Sequence, residues 1–210
     1  MIARMKAYIF DIDDTLYLEM DYVRSGFTAV GEALKLPAFG AKCWNLFESG
    51  VRGNTFDLAK QAFPEVTMET KALVDIYRRH KPRIQLCEDA REFLFDLRAR
   101  TAIVSDGPIY SQRAKFLALG LLPWIECPIF TAETCAPKPA AAAFQLVAWT
   151  LDTPYKDCVY IADNPKKDFA GPKQLGMHTI RMRRPNSLHF HVESGNDVDE
   201  EVETFREVMQ

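Results

Sequence analysis

Five short runs of β-forming residues alternate with segments of helical periodicity along this chain of 210 residues. Helices are predicted between the later runs, over residues 89–100, 109–119, 139–151 and 166–175. Strands that alternate with helices in this way form a mostly parallel sheet covered by helices on both faces. The sequence therefore predicts an α/β fold. The predicted strands are Ala7–Phe10, Thr101–Val104, Cys127–Phe130, Cys158–Ala162 and Thr179–Met182.

The interval between the first two predicted strands is too long for a single crossover. About ninety residues separate them, whereas a crossover needs only a few tens. Four helices are predicted inside the interval, near residues 22–36, 39–48, 54–63 and 68–79. We interpret residues 19–83 as an inserted helical domain, and residues 1–18 and 84–210 as the α/β core. The alternative is that these helices belong to the helical layer of the core.

The remaining features indicate an ordinary globular protein. A net charge of −3 and a pI near 5.9 give no reason to expect a nucleic-acid partner. No apolar run reaches the length of a membrane span, and the first residues lack a signal-peptide pattern. The five dispersed cysteines are typical of reduced thiols in the cytoplasm. A last helix is predicted over residues 199–209.

Three acidic residues, Asp11, Asp13 and Asp14, directly follow the first predicted strand. Carboxylates this close repel one another and raise each other's pKa, unless a hard cation such as Mg²⁺ shares the site. Asp11 and Asp13 are two residues apart, so an extended backbone points both side chains the same way. One could then act as a nucleophile and the other as an acid and base, as the transfer of a phosphoryl group requires.

The later strands deliver further polar residues to the same edge of the sheet, where ligands bind in such folds. Ser105-Asp106-Gly107 offers a hydroxyl and free backbone N–H groups to a phosphate, although serine and aspartate in such places are usually helix caps. Lys138 could balance the carboxylates, although a lone lysine is usually on the surface. Asp163 could complete a Mg²⁺ site, and Asn164 and Pro165 are predicted to begin a helix that contains Asp168.

In these residues the chain resembles the haloacid dehalogenase superfamily, on its phosphatase side. The run Asp11-Ile12-Asp13-Asp14-Thr15-Leu16 is similar to the first motif of that family. Ser105 matches the second motif and Lys138 the third. Asp163 and Asp168 match the paired acids of the fourth motif, and the helical insertion resembles a C1-type cap. The resemblance implies a Rossmann-like core.

The resemblance also implies a role for each matched residue. Asp11 would attack phosphorus, and Asp13 would protonate the leaving oxygen and then activate water. Mg²⁺ would be held by Asp11, Asp163 and the backbone carbonyl of Asp13. Lys138 would hold charge beside Asp11, and Asp168 would orient Lys138 or a metal-bound water. The residues expected at the substrate are Thr15, Ser105, Asp106 and Gly107.

Two of these residues leave a choice open. Asp106 could bind a substrate hydroxyl or cap the helix that follows it. Arg52 lies in the loop Gly50-Val51-Arg52-Gly53-Asn54 of the insertion, where it could meet an anionic substrate or simply be solvated.

The function that follows is a Mg²⁺-dependent phosphatase of a small soluble metabolite, acting in the cytoplasm as a monomer or homodimer. Dehalogenases of the superfamily carry an aromatic residue in place of Asp13 and need no metal, so an acid there favours phosphate chemistry. A phosphotransferase or phosphomutase of the same fold is an alternative. A non-catalytic binding module is another alternative. Such a module has no chemical reason to keep the full set of Asp11, Asp13, Lys138, Asp163 and Asp168.

Overall fold

The computed structural model describes residues 5–134 and 136–208 and divides into two compact units. One unit comprises the described residues of Met1–Glu19 and Gln85–Gln210, and the other is Met20–Ile84. Among the described residues, the first unit contains a six-stranded sheet in which every neighbouring pair is parallel, with the order β3-β2-β1-β4-β5-β6. Its strands are β1 (Ala7–Phe10), β2 (Arg100–Ser105), β3 (Cys127–Phe130), β4 (Cys158–Ala162), β5 (His178–Met182) and β6 (Glu200–Val202).

The second unit is helical in its described residues and has its own hydrophobic core. Phe27, Phe39, Phe47 and Phe56 form the aromatic part of that core, with edge-on and stacked ring contacts between them. Leu73 is fully buried in the same cluster. The helices are α1 (Glu19–Ala33), whose first residue belongs to the first unit, α2 (Pro37–Glu48), α3 (Thr55–Ala62) and α4 (Thr70–Arg79).

Helices cover both faces of the sheet in the first unit. On one face Tyr8 and Phe10 of β1 pack against Phe93 and Phe205, which lie on two different helices. On the other face Ile9 and its strand neighbours pack against a third helix that carries Phe144. The helices of this unit are α5 (Glu88–Asp96), α6 (Ile109–Ala118), α7 (Thr131–Thr134), α8 (Ala142–Thr150), α9 (Ala170–Gln174) and α10 (Phe205–Val208). These layers confirm the predicted α/β fold.

The helix predicted over residues 199–209 is wrong in its first half. Residues Glu200–Val202 form β6 beside β5, and only Phe205–Val208 is helical, while Met209 lies outside the described residues. Glu201 pairs with Arg181 at 3.1 Å and with Arg183 at 2.9 Å. The pair with Arg181 favours a strand because it joins β6 to the neighbouring strand β5, and Arg183 lies one residue beyond β5.

The helix predicted over residues 166–175 begins four residues late, at Ala170. Asn164 and Pro165 lie in a turn instead of at the start of a helix. In this turn the Asn164 side chain accepts the Lys166 N–H, and the Asp168 carboxylate accepts the Asn164 N–H. Side-chain bonds of this kind compete with helix formation. Because α9 starts late, Pro172 falls in its first turn, where a missing N–H costs little.

A similar delay affects the helix predicted over residues 139–151, because α8 begins at Ala142. Cys135 lies outside the described residues. Among the residues that are described, no helix is long and apolar enough to cross a membrane.

Gly171 of α9 allows a close approach between α9 and the chain after Lys138. A Cβ atom at residue 171 would overlap the carbonyl oxygen of Pro139, whereas one at Gly195 would meet nothing within 4 Å. We expect Gly171→Ala to cost about 1–3 kcal/mol of unfolding free energy, because the backbone must shift. Gly195→Ala should stay within about 0.5 kcal/mol of the parent. Urea denaturation of both variants measures the difference, and equal stabilities would contradict the steric argument.

Candidate active site

A buried lysine joins two of the predicted acidic residues at the carboxyl edge of the sheet. The Lys138 ammonium lies 3.1 Å from an Asp11 oxygen and 2.7 Å from an Asp168 oxygen. The side chains of Lys138 and Asp168 are fully buried. Lys138 also contacts the Tyr160 hydroxyl of β4 at 3.1 Å. The loops after β1, β3 and β4 therefore meet at one point, as the sequence predicts.

The carboxylates of Asp11, Asp163 and Asp168 form a cluster beside this lysine. One oxygen from each lies within 4.8 Å of the others. Burial raises the pKa of Asp11 to about 6 although Lys138 opposes the shift, and the Asp168 carboxylate adds to it. Burial also raises the pKa of Asp163 to about 6, with Asp168 and Asp11 contributing. These acids therefore resist ionisation as long as no further positive charge is near.

Asp13 has a different environment because the helix after β2 supplies its own cation. The Lys115 ammonium lies 2.7 and 2.8 Å from the two Asp13 oxygens. Gln112 donates to Asp13 at 3.1 Å, and the Tyr17 hydroxyl makes a short hydrogen bond to it. Burial alone would raise the pKa of Asp13, but Lys115 and these hydrogen bonds outweigh burial and lower it. Both oxygens of its side chain are thus paired with Lys115, and its backbone carbonyl is the predicted metal ligand.

Asp14 is held by the backbone, and Glu19 lies in the same acidic group. The Asp14 carboxylate accepts N–H bonds from Glu19 at 2.8 Å and from Leu188 at 2.7 Å. Burial, followed by the charge of Asp163, raises the pKa of Asp14 to about 7. Burial, followed by the charge of Asp13, raises the pKa of Glu19 to about 8. Asp14 therefore ties the loop after β1 to the chain near residue 188.

The predicted phosphate-binding residues present unused hydroxyls to the site. Ser105 Oγ and Thr15 Oγ1 are buried and have no hydrogen-bond partner among the residues described. Buried hydroxyls without partners are costly, so a ligand oxygen is expected to satisfy them. Gly107 has a φ of 131°, which a residue with a side chain rarely adopts, and it turns the chain between β2 and α6.

Asp106 is not the helix cap that was one of its two predicted roles. Helix α6 begins at Ile109 with Pro108 as its N-cap residue, and Pro108 makes no side-chain capping bond. The Asp106 carboxylate instead accepts the Thr131 hydroxyl at 2.6 Å and the Lys138 N–H at 3.2 Å. It therefore fixes the loop that carries Lys138. Its role as a substrate ligand remains a prediction.

Arg52 belongs to the helical unit, and its side chain folds back on its own loop. Its guanidinium donates to the carbonyls of Phe47 and Val51 at 2.6 and 2.8 Å. It also lies over the Phe47 ring at 3.7 Å from the centroid. These contacts account for its position without a substrate, and its predicted role in specificity stays a prediction.

The donor set fits a hard divalent cation. Asp11 and Asp163 offer carboxylate oxygens, which are the ligands that Mg²⁺ prefers. Six carboxylates lie in this region, against two buried lysines. The raised pKa values of Asp11 and Asp163 have the sign expected of ligands that lack a balancing charge. The residues present therefore suit Mg²⁺.

Sequence reasoning missed Lys115, Gln112, Glu19 and His189. Lys115 and Gln112 are three residues apart on α6, so they share one face of the helix. Both are buried, and two polar residues on the inward face of a helix are a signal that the sequence contains. Contacts of His189 depend on the path of the chain after β5, which the sequence pattern leaves undetermined.

The family model for haloacid dehalogenase-like hydrolases matches residues 5–176. A glyceraldehyde 3-phosphate phosphatase of Methanopyrus kandleri is 26% identical, and the match covers 98% of this chain and 96% of that protein. The magnesium-bound structure of the HAD-hydrolase YfnB from Bacillus subtilis superposes with a TM-score of 0.70 at 21% identity, covering 98% of this chain and 97% of that one.

The same fold also occurs in a dehalogenase. L-2-haloacid dehalogenase from Xanthobacter autotrophicus superposes with a TM-score of 0.60 at 20% identity, covering 87% of this chain and 79% of that one. The fold alone therefore does not determine the reaction, which depends on the residues of the site.

The raised carboxylate pKa values predict how stability depends on pH without metal. The folded protein keeps protons on Asp11, Asp14, Glu19 and Asp163 that the unfolded chain releases above about pH 4. Stability should therefore fall as pH rises from about 5 to 8. Saturating Mg²⁺ should flatten this fall, because a cation favours ionised carboxylates. Melting temperatures measured at several pH values, in EDTA and in Mg²⁺, test this expectation. The same pH dependence in both conditions would contradict the cation site.

The pair between Lys115 and Asp13 predicts a non-additive double variant. Lys115→Met leaves the Asp13 charge buried without its cation, so we expect a loss of about 3–5 kcal/mol of unfolding free energy at pH 8. Adding Asp13→Asn removes that charge and should restore much of the loss. Urea denaturation of both single variants and the double variant gives the coupling energy. Additive losses would show that the pair contributes little.

Proposed function

The chain belongs to the family of haloacid dehalogenase-like hydrolases, and we propose that it is a Mg²⁺-dependent phosphatase of small phosphorylated metabolites. The observation that carries this proposal is the separate pairing of two neighbouring carboxylates, Asp11 with Lys138 and Asp13 with Lys115. Halide leaves without a proton, so a displacement of halide has no use for an acid beside the nucleophile. The alkoxide of a phosphate ester does need a proton when it leaves.

In the first step, an Asp11 oxygen forms a bond to phosphorus while the bond from phosphorus to the ester oxygen breaks. Lys138 lies 3.1 Å from Asp11 and holds the nucleophile in place. The buried hydroxyls of Thr15 and Ser105 donate to the phosphoryl oxygens. The phosphoryl charge raises the pKa of Asp13, so that Asp13 takes up a proton from solvent as the substrate binds and then donates it to the leaving oxygen.

In the second step, a water oxygen forms a bond to phosphorus, and the bond from phosphorus to Asp11 breaks. Asp13, which is ionised after donating its proton in the first step, takes a proton from this water. Phosphate leaves, and Asp11 returns to its starting form. Asp11, Asp163 and the Asp13 carbonyl would hold Mg²⁺, which would offset the repulsion between carboxylate and phosphate. Asp168 acts on Lys138 through the ion pair at 2.7 Å.

The helical unit Met20–Ile84 is proposed as the cap domain of this enzyme. It is inserted between β1 and β2, and it has a hydrophobic core of its own. An enclosing cap would exclude water during the first step and select the substrate. The relative from Methanopyrus kandleri is a phosphatase of a three-carbon phosphate, which supports a small substrate here.

The proposed setting is the cytoplasm, where the protein would act as a monomer or homodimer. Cys43, Cys127 and Cys158 are buried free thiols. Burial raises the pKa of Cys43 to about 12, and burial followed by the Asp157 charge raises that of Cys158 to about 11. Such thiols stay protonated and inert, which suits a reducing compartment.

Asp11→Asn tests the proposed nucleophile. The purified protein with Mg²⁺ should release phosphate from at least one of a panel of triose, pentose and hexose phosphates. Asp11→Asn should lower kcat by roughly 10³-fold or more, because the amide cannot attack phosphorus. The control is Asp157→Asn, which changes an aspartate paired with Lys6 outside the site, and its activity should equal that of the parent.

The same panel separates hydrolysis from the alternatives. Transfer of the phosphoryl group to a second metabolite, without release of phosphate, would replace the phosphatase by a phosphotransferase or mutase. The absence of any turnover across the panel would contradict the enzyme assignment.

A further inference from the structure

The chain after β5 returns to the catalytic edge of the sheet. We name residues 183–199 the return loop. Arg184 at its start donates to the Thr15 carbonyl at 2.8 Å, and the N–H of Leu188 donates to the Asp14 carboxylate at 2.7 Å. The return loop is therefore attached at two points to the loop that follows β1. It lies outside residues 5–176, which match the family model.

Through His189, the return loop also contacts Asp163 in the loop that follows β4. The Nδ1 atom of His189 lies 2.8 Å from Oδ2 of Asp163. The side chain of Asp163 is 6% exposed, and that of His189 is 31% exposed. Buried Arg181 donates to the His189 carbonyl at 2.8 Å and to the Asp163 carbonyl at 3.1 Å. Both partners are thus fixed by their backbones as well as by their side chains.

A chain of hydrogen bonds determines which His189 nitrogen carries the proton. The Lys166 N–H donates to Oδ1 of Asn164, so the amide nitrogen of Asn164 is left to face His189. That amide nitrogen lies 3.1 Å from Nε2 of His189 and can only donate. Nε2 therefore accepts, and Nδ1 carries the proton that is donated to Asp163. This tautomer requires no net charge on the ring.

We propose that His189 is a positioning residue that orients Asp163 for the divalent cation. The inference rests on the proposed Mg²⁺ site. The bond from His189 to Oδ2 holds the Asp163 carboxylate in one orientation and leaves its other oxygen without this partner for the cation. Hydrogen-bond partners of metal ligands typically change metal affinity by about 10–100-fold when they are removed.

The grouping of Asp14, Asp163 and His189 does not form a second cation site. Their candidate ligand atoms lie within 4.8 Å of one another. However, both Asp14 oxygens already accept backbone N–H bonds, from Glu19 and Leu188. Nδ1 of His189 carries a proton, so it has no lone pair for a metal. The arrangement suits a support for one ligand, which is the role inferred here.

The test measures Mn²⁺ binding by electron paramagnetic resonance, with competition by Mg²⁺, in the absence of substrate. His189→Ala should weaken both affinities by about 10–100-fold. His189→Asn places an amide N–H near the position of Nδ1 and should recover most of the loss. The control is His178→Ala, which removes a histidine bonded to Glu200 on the β5–β6 edge, and its metal affinity should not change.

A second variant guards against misfolding. Asn164→Ala leaves His189 in place but removes the donor that sets its tautomer, and a smaller loss of Mn²⁺ affinity is expected. In phosphatase assays, His189→Ala should raise the half-saturating Mg²⁺ concentration by the same factor as in binding. Its kcat at saturating Mg²⁺ should remain within about threefold of the parent, which loss of folded protein would not give.

Parent-like Mn²⁺ affinity in His189→Ala would overturn the inference and leave the phosphatase intact. So would a loss that His189→Asn does not recover. Binding is measured without turnover. A parent protein that binds Mn²⁺ but releases no phosphate would therefore contradict the proposed phosphatase function and leave the inference on His189 intact. A parent that binds neither Mn²⁺ nor Mg²⁺ would overturn the inference together with the metal site.

Discussion

The ion pairs of Lys138 with Asp11 and Asp168 are the interaction on which the rest of the site depends. A buried cation is stable only when opposite charges and hydrogen bonds surround it, and Lys138 has both. Its three partners come from the loop after β1, from β4 and from the loop after β4, so these contacts fix the spacing of those segments. Asp106 completes the arrangement by binding the Lys138 N–H and the hydroxyl of Thr131. The same contacts that stabilise the core therefore define the shape of the site.

The two neighbouring carboxylates Asp13 and Asp11 do not receive equal positive charge from their surroundings. Asp13 has a lysine to itself, and its pKa is lowered, whereas Asp11 shares Lys138 with Asp168 and its pKa is raised to about 6. An acid and base must exchange protons with ester and water, and a nucleophile must bond to phosphorus next to a cation. Two neighbouring carboxylates thus acquire different properties from different partners, which is how sites separate their roles.

The sequence predicts the edge of the sheet well because the constraints there are local. Asp11 directly follows β1 and Asp163 directly follows β4. The carboxyl ends of parallel strands lie at the same edge of a sheet, so the cluster follows from topology. The sequence does not predict β6, because Glu200–Val202 pairs with β5, and the ion pairs of Glu201 reach arginines that lie 20 and 18 residues earlier, beyond any local pattern. The late start of α9 has a local cause, but it depends on whether Asn164 bonds to a turn or to a helix.

Asp14 shows why the return loop could not be inferred from the motif. As the third acid of the first loop it has no evident chemical task in the sequence, yet it accepts N–H bonds from residues 5 and 174 positions further along the chain. A glycine in its place would allow the same turn, since its φ is 51°, but it would not hold the return loop. Asp14 thus helps to hold the loop that brings His189 to Asp163. Two backbone hydrogen bonds reduce the electrostatic cost of placing this third acid in a crowded site, although its pKa is still raised to about 7.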